Sequence, residues 1–206
     1  MTGYKVVNLV NLIEELGEDC AKAVLSDFSC PLNQDVEYFI GQKAIDFAKQ
    51  GWAQTHLVFA SYQDKPVLVG FFALANKYIR ISAAKMGKSG STLRKRISKY
   101  ANYDPNLKAY ILSAPLIAQL GKNYTNGYNK LITGDELLEE ACEKIKRIQL
   151  DLGGKFAYLE CEDKPCLIEF YTRNGFCDFD TRQLDKDETD KMDGEYLVQM
   201  LKYIRK

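Results

Sequence analysis

The residues with most to offer chemically lie between Leu116 and Phe176. A strand read from Ala109 to Gly121 leads through a bent connection into a helix that opens at Thr133-Gly134-Asp135-Glu136. A helix start leaves N–H groups without intrahelical partners and carries the positive end of the helix dipole, so such a connection suits a phosphate. Asp135 and Glu136 favour the helix but repel an anion, and Lys130 offsets them. Further on, Glu160 and Glu162 alternate with Leu159 and Cys161 along a strand from Lys155 to Cys161, where they could act on a substrate or face solvent. Tyr171 stands in Glu169-Phe170-Tyr171-Thr172-Arg173-Asn174-Gly175-Phe176, after a helix started by Pro165. Its two readings are a proton donor and a core tyrosine covering the sheet.

Other chemistries find less support. The six cysteines (Cys20, Cys30, Cys142, Cys161, Cys166, Cys177) fall at irregular intervals, and His56 is the one histidine, so no metal site is expected. A nucleophilic Cys161 or Cys166 would lack an evident source for a lowered thiolate pKa. The stretch from Lys85 to Lys99 carries Lys85, Lys88, Arg94, Lys95, Arg96 and Lys99 without an acid. It reads as a solvated basic surface or as a patch for phosphate, from a cofactor or from RNA.

The elements that must position these residues follow from periodicity. Tyr4 to Leu9 reads as a strand and Asn8 to about Leu16 as a helix stopped by Gly17; Asp35 is expected to cap a second helix ending near Gly51. Thr55 to Tyr62 and Val67 to Ile81 form an antiparallel hairpin around Gln63-Asp64-Lys65-Pro66. Thr92 to Tyr100 makes a short helix with its charges outward. Pro115 removes a ladder donor, so distorted pairing is expected there or just after it. Leu137, Leu138, Ala141, Ile145 and Ile148 form one apolar stripe of a helix from Gly134 to about Leu152, stopped by Gly153-Gly154. Asp185 to Glu195 reads as an acidic loop before a last strand, Tyr196 to Ile204.

With 206 residues and no Pro/Gly/Ser-rich linker, one domain over 1–206 is expected, with a basic insertion at about 82–107. Apolar residues make up 46% and charged residues 27%, ordinary for a globular protein. The 28 basic and 28 acidic side chains cancel, which argues against general affinity for nucleic acid but not against a local patch. Met1-Thr2-Gly3-Tyr4-Lys5 has no signal-peptide form and no run of about 18 apolar residues exists, so a cytoplasmic place and no membrane contact are expected.

The core resembles the acyl-CoA-binding core of the GCN5-related N-acetyltransferases. Asn129-Lys130-Leu131-Ile132-Thr133-Gly134 sits in the register of that family's pyrophosphate loop, with Leu137 and Leu138 as its leucine pair; Asn129 stands for the first amide and Ile132 for the first glycine. Phe170-Tyr171-x-x-Asn174-Gly175-Phe176 matches the family's Tyr-x-x-x-Gly-Phe ending. Asp27-Phe28-Ser29-Cys30, Asp35-Val36-Glu37-Tyr38-Phe39 and Thr55 at a strand start are similar to the toxin-like branch that acetylates aminoacyl-tRNA. The resemblance implies a mixed, splayed α/β sheet flanked by helices on both faces. It further implies acetyl-CoA as co-substrate, without metal, at the fork between the strands Ala109 to Gly121 and Lys155 to Cys161.

On that pattern Leu120, Gly121 and Lys122 would meet the pantetheine arm and the acetyl carbonyl, and Asn129, Lys130, Ile132, Thr133, Gly134 and Asp135 the diphosphate. Tyr171 would be the acid: a phenol of pKa about 10 protonates a thiolate of pKa about 8.5 with little driving force, so its part is positional. The base stays open between Glu160, Glu162, a water relay and an amine that arrives deprotonated. The acceptor, a small-molecule or protein amine, is not fixed by these residues, and a homodimer stays open. The alternatives are acetylation of aminoacyl-tRNA through the Lys85 to Lys99 patch, and a catalytically degenerate binding or regulatory protein, suggested by Ile132.

Overall fold

The computed structural model describes residues 3–86, 90–185 and 194–205. Among them a mixed, mostly antiparallel sheet runs in the order β1 (Lys5–Asn8), β2 (Gln54–Tyr62), β3 (Lys65–Ser82), β5 (Ala109–Lys122), β6 (Phe156–Glu162), β8 (Tyr196–Tyr203), β7 (Cys177–Gln183). A short β4 (Asn102–Asp104) pairs with β5 off that path. The sheet is flanked by helices, as the resemblance implied. The chain packs as two compact units: Met1–Ala75 with Ile117–Ala141, and Asn76–Leu116 with Cys142–Lys206.

In the first unit α1 (Leu9–Leu16) starts where Asn8 accepts the Val10 amide at 2.8 Å, and Gly17, at φ 84°, separates it from α2 (Glu18–Ser26). The sequence reading has no counterpart for α2, whose polar face hides its two core residues, Ala21 and Leu25. The next helical run comprises α3 (Gln34–Tyr38), a π turn (Phe39–Lys43) and α4 (Ala44–Lys49). Its cap is Asn33, whose side chain accepts the amides of Asp35 and Val36 at 3.0 and 3.1 Å, and not Asp35 as expected. The hairpin turn is tighter than expected. Gln63 and Asp64 alone carry left-handed φ, 50° and 60°, and Lys65 and Pro66 already belong to β3. Leu9, Ile40, Leu57 and Phe71 are central to the core of this unit, with the Phe28 ring edge-on to Phe71 at 5.1 Å.

The second unit packs α5 (Ala83–Met86) and α6 (Ser91–Tyr100) with Ile79, Ile81, Leu112, Phe156, Tyr158, Phe179 and Leu201 as core. β6 pairs with β8 over seven positions, and β8 with β7 across a bulge between Asp178 and Asp180. Neither β4 nor β7 is anticipated by the sequence reading; β7 alternates acids with a single buried Phe179, too polar to register as a strand. The acidic loop expected over Asp185 to Glu195 falls largely on 186–193, outside the described residues.

Two elements run through both units and carry the candidate residues. α7 (Gly134–Leu152) has the expected bounds, with Leu137, Leu138, Ala141 and Ile145 at 0–1% exposure. β5 is unbroken and buried on both faces: even-numbered Leu112 and Ala114 belong to the core of the second unit with Leu116 packed against them, and odd-numbered Ala109, Ile117 and Gly121 are buried too. The alternation runs on through Pro115, so the distorted pairing expected there shows only as a parallel ladder to β6 that is one pair long, at Leu116. No described helix is long and apolar enough to cross a membrane.

Candidate functional site

The proposed cofactor residues all fall in the first unit, on the end of β5, the connection that follows and the start of α7. β5 and β6 pair in parallel at a single register position, Leu116 opposite Tyr158. Beyond it β5 makes no further ladder with β6 among the described residues.

Three features organise the connection. Asn123 is wholly buried and fully used: its amide N donates to the carbonyls of Asp27 (3.0 Å) and Leu68 (2.9 Å), and its oxygen accepts from Ser29 N and Thr125 N, both at 3.0 Å. This ties the segment after α2 to β3 and to the turn leaving β5. Lys122 curls its ammonium back onto the carbonyls of Asn129 (2.8 Å) and Ile132 (3.1 Å), so its side chain holds the loop in place. Asn126 and Gly127 take left-handed φ, 52° and 75°, turning the short 3₁₀ segment Thr125–Lys130 back toward α7.

The helix tip is closed by its own side chains. Thr133 Oγ1 accepts the Glu136 amide at 3.1 Å, and Glu136 Oε2 accepts the Thr133 amide at 2.8 Å and its hydroxyl at 2.7 Å. This is a capping box, and it holds the Glu136 carboxyl below the usual range, chiefly through the Thr133 amide. Tyr4 donates to the Leu131 carbonyl at 3.0 Å; burial, with Glu136 beside it, pushes its phenol up to about 12. Ile132, where the family has glycine, is buried (2% exposed) and anchors the loop. Lys130 is exposed, and the Gly134 amide makes no hydrogen bond among the described residues.

Gly121 is needed for a packing reason. A Cβ there would come 2.4 Å from Val36 Cγ1, and one on Gly70 would come 2.8 Å from the Gly121 carbonyl oxygen. The neighbouring Gln119 donates to the Asp35 carboxylate at 2.9 Å. Glu37 accepts the Cys30 amide at 2.6 Å, and Ser29 O accepts from Tyr124 N at 2.8 Å. The two segments singled out for their similarity to the toxin-like branch are thereby brought against the end of β5. Nothing in composition or spacing marks Asn123; the capping box, absent from the sequence reading, does have a signal in Thr-x-x-Glu at 133–136.

The proposed catalytic residues fall in the second unit. Tyr171 is half-buried on α8 (Pro165–Arg173), edge-on to Phe170 at 4.9 Å and Phe176 at 6.0 Å. Burial, with the neighbouring Cys161, raises its phenol well above the ordinary value, and its hydroxyl has no hydrogen bond among the described residues. The Asn174-Gly175-Phe176 ending also has a local reason. Gly175 leaves the helix at φ 83°, Asn174 donates to the Phe170 carbonyl at 2.8 Å, and Phe176 is fully buried. Glu160 is committed elsewhere: Arg182 grips Oε2 with Nε and a terminal nitrogen, both at 2.7 Å, while Tyr158 and Gln199 donate to Oε1. Glu162 pairs with Lys164 at 3.1 Å. His56 is buried against the Phe72 ring, 5.0 Å between centroids. Burial pushes the Cys161 thiol up to about 12, which removes a thiolate route there.

In the basic stretch, Lys85 is paired with Asp180 and Arg96 lies 4.4 Å over the Tyr203 ring. Arg94, Lys95 and Lys99 are exposed; Lys88 lies outside the described residues. Among the described residues no cluster of His, Cys, Asp and Glu could hold a metal ion.

No family model and no curated protein matches the chain. Solved structures do match over nearly its whole length. The toxin AtaT complexed with acetyl-methionyl-tRNAfMet is 12% identical at TM-score 0.61, covering 95% of this chain and 93% of its own. A tyrosine-to-phenylalanine mutant of KacT is 11% identical at TM-score 0.58, covering 96% and 94%. AtaTR bound with acetyl-CoA is 12% identical at TM-score 0.54, covering 96% and 93%. At such identities the likeness shows the fold: this chain has a GCN5-related N-acetyltransferase-like fold, the class its sequence led us to expect.

Proposed function

We propose that this chain transfers the acetyl group of acetyl-CoA to a primary amine by direct attack. The observation that carries the reading is the parallel ladder of one pair at Leu116, one residue past Pro115. Main-chain groups of Leu120, Gly121 and Lys122, beyond that pair, are the natural partners of an extended pantetheine arm. Acetyl-CoA supplies a thioester activated toward amines. A backbone N–H near Lys122 polarises the acyl carbonyl, the new C–N bond replaces the C–S bond, and the amine proton passes to water.

Tyr171 donates a hydrogen bond to the departing thiolate, which takes its proton from water. Its raised pKa keeps it a donor at every working pH and makes full proton loss uphill, so a hydrogen bond to the developing thiolate is its main contribution. Glu160 is not the base, because its carboxylate is saturated by Arg182, Tyr158 and Gln199. The residues suit the arm better than the diphosphate: the Gly134 amide and the Lys130 ammonium are available, whereas Glu136 closes the rest of the helix tip and Asn129, Ile132 and Thr133 hold the loop.

Calorimetric titration with acetyl-CoA tests the first step and thiol release with a panel of amines the second. Tyr171→Phe is expected to lower kcat by about a hundred-fold with acetyl-CoA affinity unchanged. Absence of heat and of any thermal shift at millimolar acetyl-CoA would overturn the enzyme reading in favour of a non-catalytic protein.

A second reading names the amine as the aminoacyl end of a charged tRNA. It is supported by the likeness to AtaT complexed with acetyl-methionyl-tRNAfMet. Labelled acetyl appearing on charged but not on deacylated tRNA is the expected result; labelling of neither removes it.

A further inference from the structure

Lys202 is a half-buried lysine without an acid. It follows Val198 and Met200 on one face of β8, and the residue opposite it on β6 is the small Ala157, which leaves room for a long side chain. That side chain runs over Gly175, where a Cβ would come 3.8 Å from Lys202 Cε, and over the buried Phe176 ring, 5.6 Å from Nζ to its centroid. Nζ ends 3.6 Å from Sγ of Cys142, a buried residue of α7 that belongs to the same unit. No carboxylate pairs with this ammonium among the described residues, so an ion pair does not account for its place. A strand, a helix and a buried ring together hold an amine against a thiol. Cys161, the other buried cysteine of the unit, instead meets Met200 Sδ at 3.9 Å.

We propose that the Cys142–Lys202 pair is a covalent modification site, at which hydrogen peroxide joins the two side chains through a sulfur–nitrogen bond. In the first step peroxide oxidises the thiol by two electrons: the O–O bond breaks, one oxygen stays on sulfur as a sulfenic acid and the other leaves as water. In the second, the Lys202 amine, having given its extra proton to water, attacks Sγ. The S–N bond forms, the S–O bond breaks, and the hydroxyl leaves as water with a proton from nitrogen. No further oxidant is consumed, and a thiol reductant restores both side chains. Atoms already near contact distance need little movement for that attack. Burial slows the first step but keeps a second peroxide and other thiols from the sulfenic acid, which leaves the amine as the partner within reach. The product ties α7 to β8 across 60 positions of chain. The inference uses the second unit alone and does not rest on the acyl-transfer reading.

Peptide mapping by mass spectrometry of the full chain, treated with hydrogen peroxide and then with a thiol-blocking reagent, provides the test. The expected product is one peptide that holds both Cys142 and Lys202, about two mass units lighter than the sum of its parts and split by dithiothreitol. Lys202→Arg keeps the charge and the stem but not the nucleophile. It should give no joined peptide, and its Cys142 should instead take up dimedone, a trap for sulfenic acid. Cys142→Ser should lose both signals. Peroxide-treated wild type should melt about 5–10 °C above the untreated protein, a gain that reduction reverses and the arginine variant lacks. A joined peptide that carries an added oxygen, Cys142 found in a disulfide, or equal dimedone labelling of Cys142 in wild type and Lys202→Arg would overturn the proposal. So would a Cys142 left unmodified in both chains while the exposed Cys166 and Cys177 are oxidised.

Discussion

At the scale of single residues, the helix tip shows how a few hydrogen bonds decide what a phosphate would meet. Thr133 and Glu136 satisfy each other's amides, so Thr133→Ala should cost about 1 kcal/mol in urea denaturation. The Glu136 carboxyl is depressed in the folded state. Its stabilisation is therefore present above the ordinary glutamate value of about 4.3 and lost as pH falls through the lower folded value. Tyr4 acts at the other end of the scale: with a phenol raised to about 12, its contribution is complete below pH about 10 and lost as pH rises through about 12. Stability curves of wild type, Thr133→Ala and Tyr4→Phe against pH check both signs, the Tyr4→Phe curve losing part of the alkaline slope while the buried Tyr171 and Tyr158 keep the rest. Asn123 carries more. Asn123→Ala strands buried partners on three segments and should cost more than about 2 kcal/mol, measured the same way. An asparagine in a connection looks like any turn residue in sequence, since nothing local reveals that the carbonyls of Asp27 and Leu68 will meet it.

Among the elements, those with a strong period were legible and those with a mixed surface were not. α7 could be read to its ends because its apolar stripe spans about three turns and two glycines follow it. The polar face of α2 and the acids of β7 dilute the pattern that would reveal them, and Asn33 outcompetes Asp35 as a cap by two residues. The Gly121 requirement arises from tertiary contact alone. Gly121→Ala drives a methyl group into Val36 and should cost about 1–3 kcal/mol, with Val36→Ala recovering part of the loss in a double-mutant cycle. An additive result would remove the steric explanation. The short ladder beside Pro115 belongs to the legible kind, because proline's missing donor acts wherever the strand sits.

For the molecule as a whole, order of elements carried the fold through where individual motifs were thin. Ile132 in a glycine position and a capping carboxylate at the helix tip depart from the family's loop, yet the sheet order and the stop at Asn174-Gly175-Phe176 persist. The commitment of Glu160 was not legible, because it depends on Arg182, a residue of the unforeseen β7. Arg182→Ala should release that carboxylate and destabilise the fold by about 3 kcal/mol, the usual result of leaving one member of a buried pair alone. Unchanged stability would mean that water reaches Glu160 freely.

The two-sided burial of β5 has a consequence for how length variation is tolerated. Even-numbered Leu112, Ala114 and Leu116 serve one face and odd-numbered Ile117 and Gly121 the other, so the strand has no solvent side onto which a slipped residue could fall. Inserting one residue after Leu116 would exchange the two faces downstream and carry Gly121 away from Val36. The upstream half would keep its partners, so the damage should appear by hydrogen exchange in only one stretch of amides, 117–122, with 109–114 still protected.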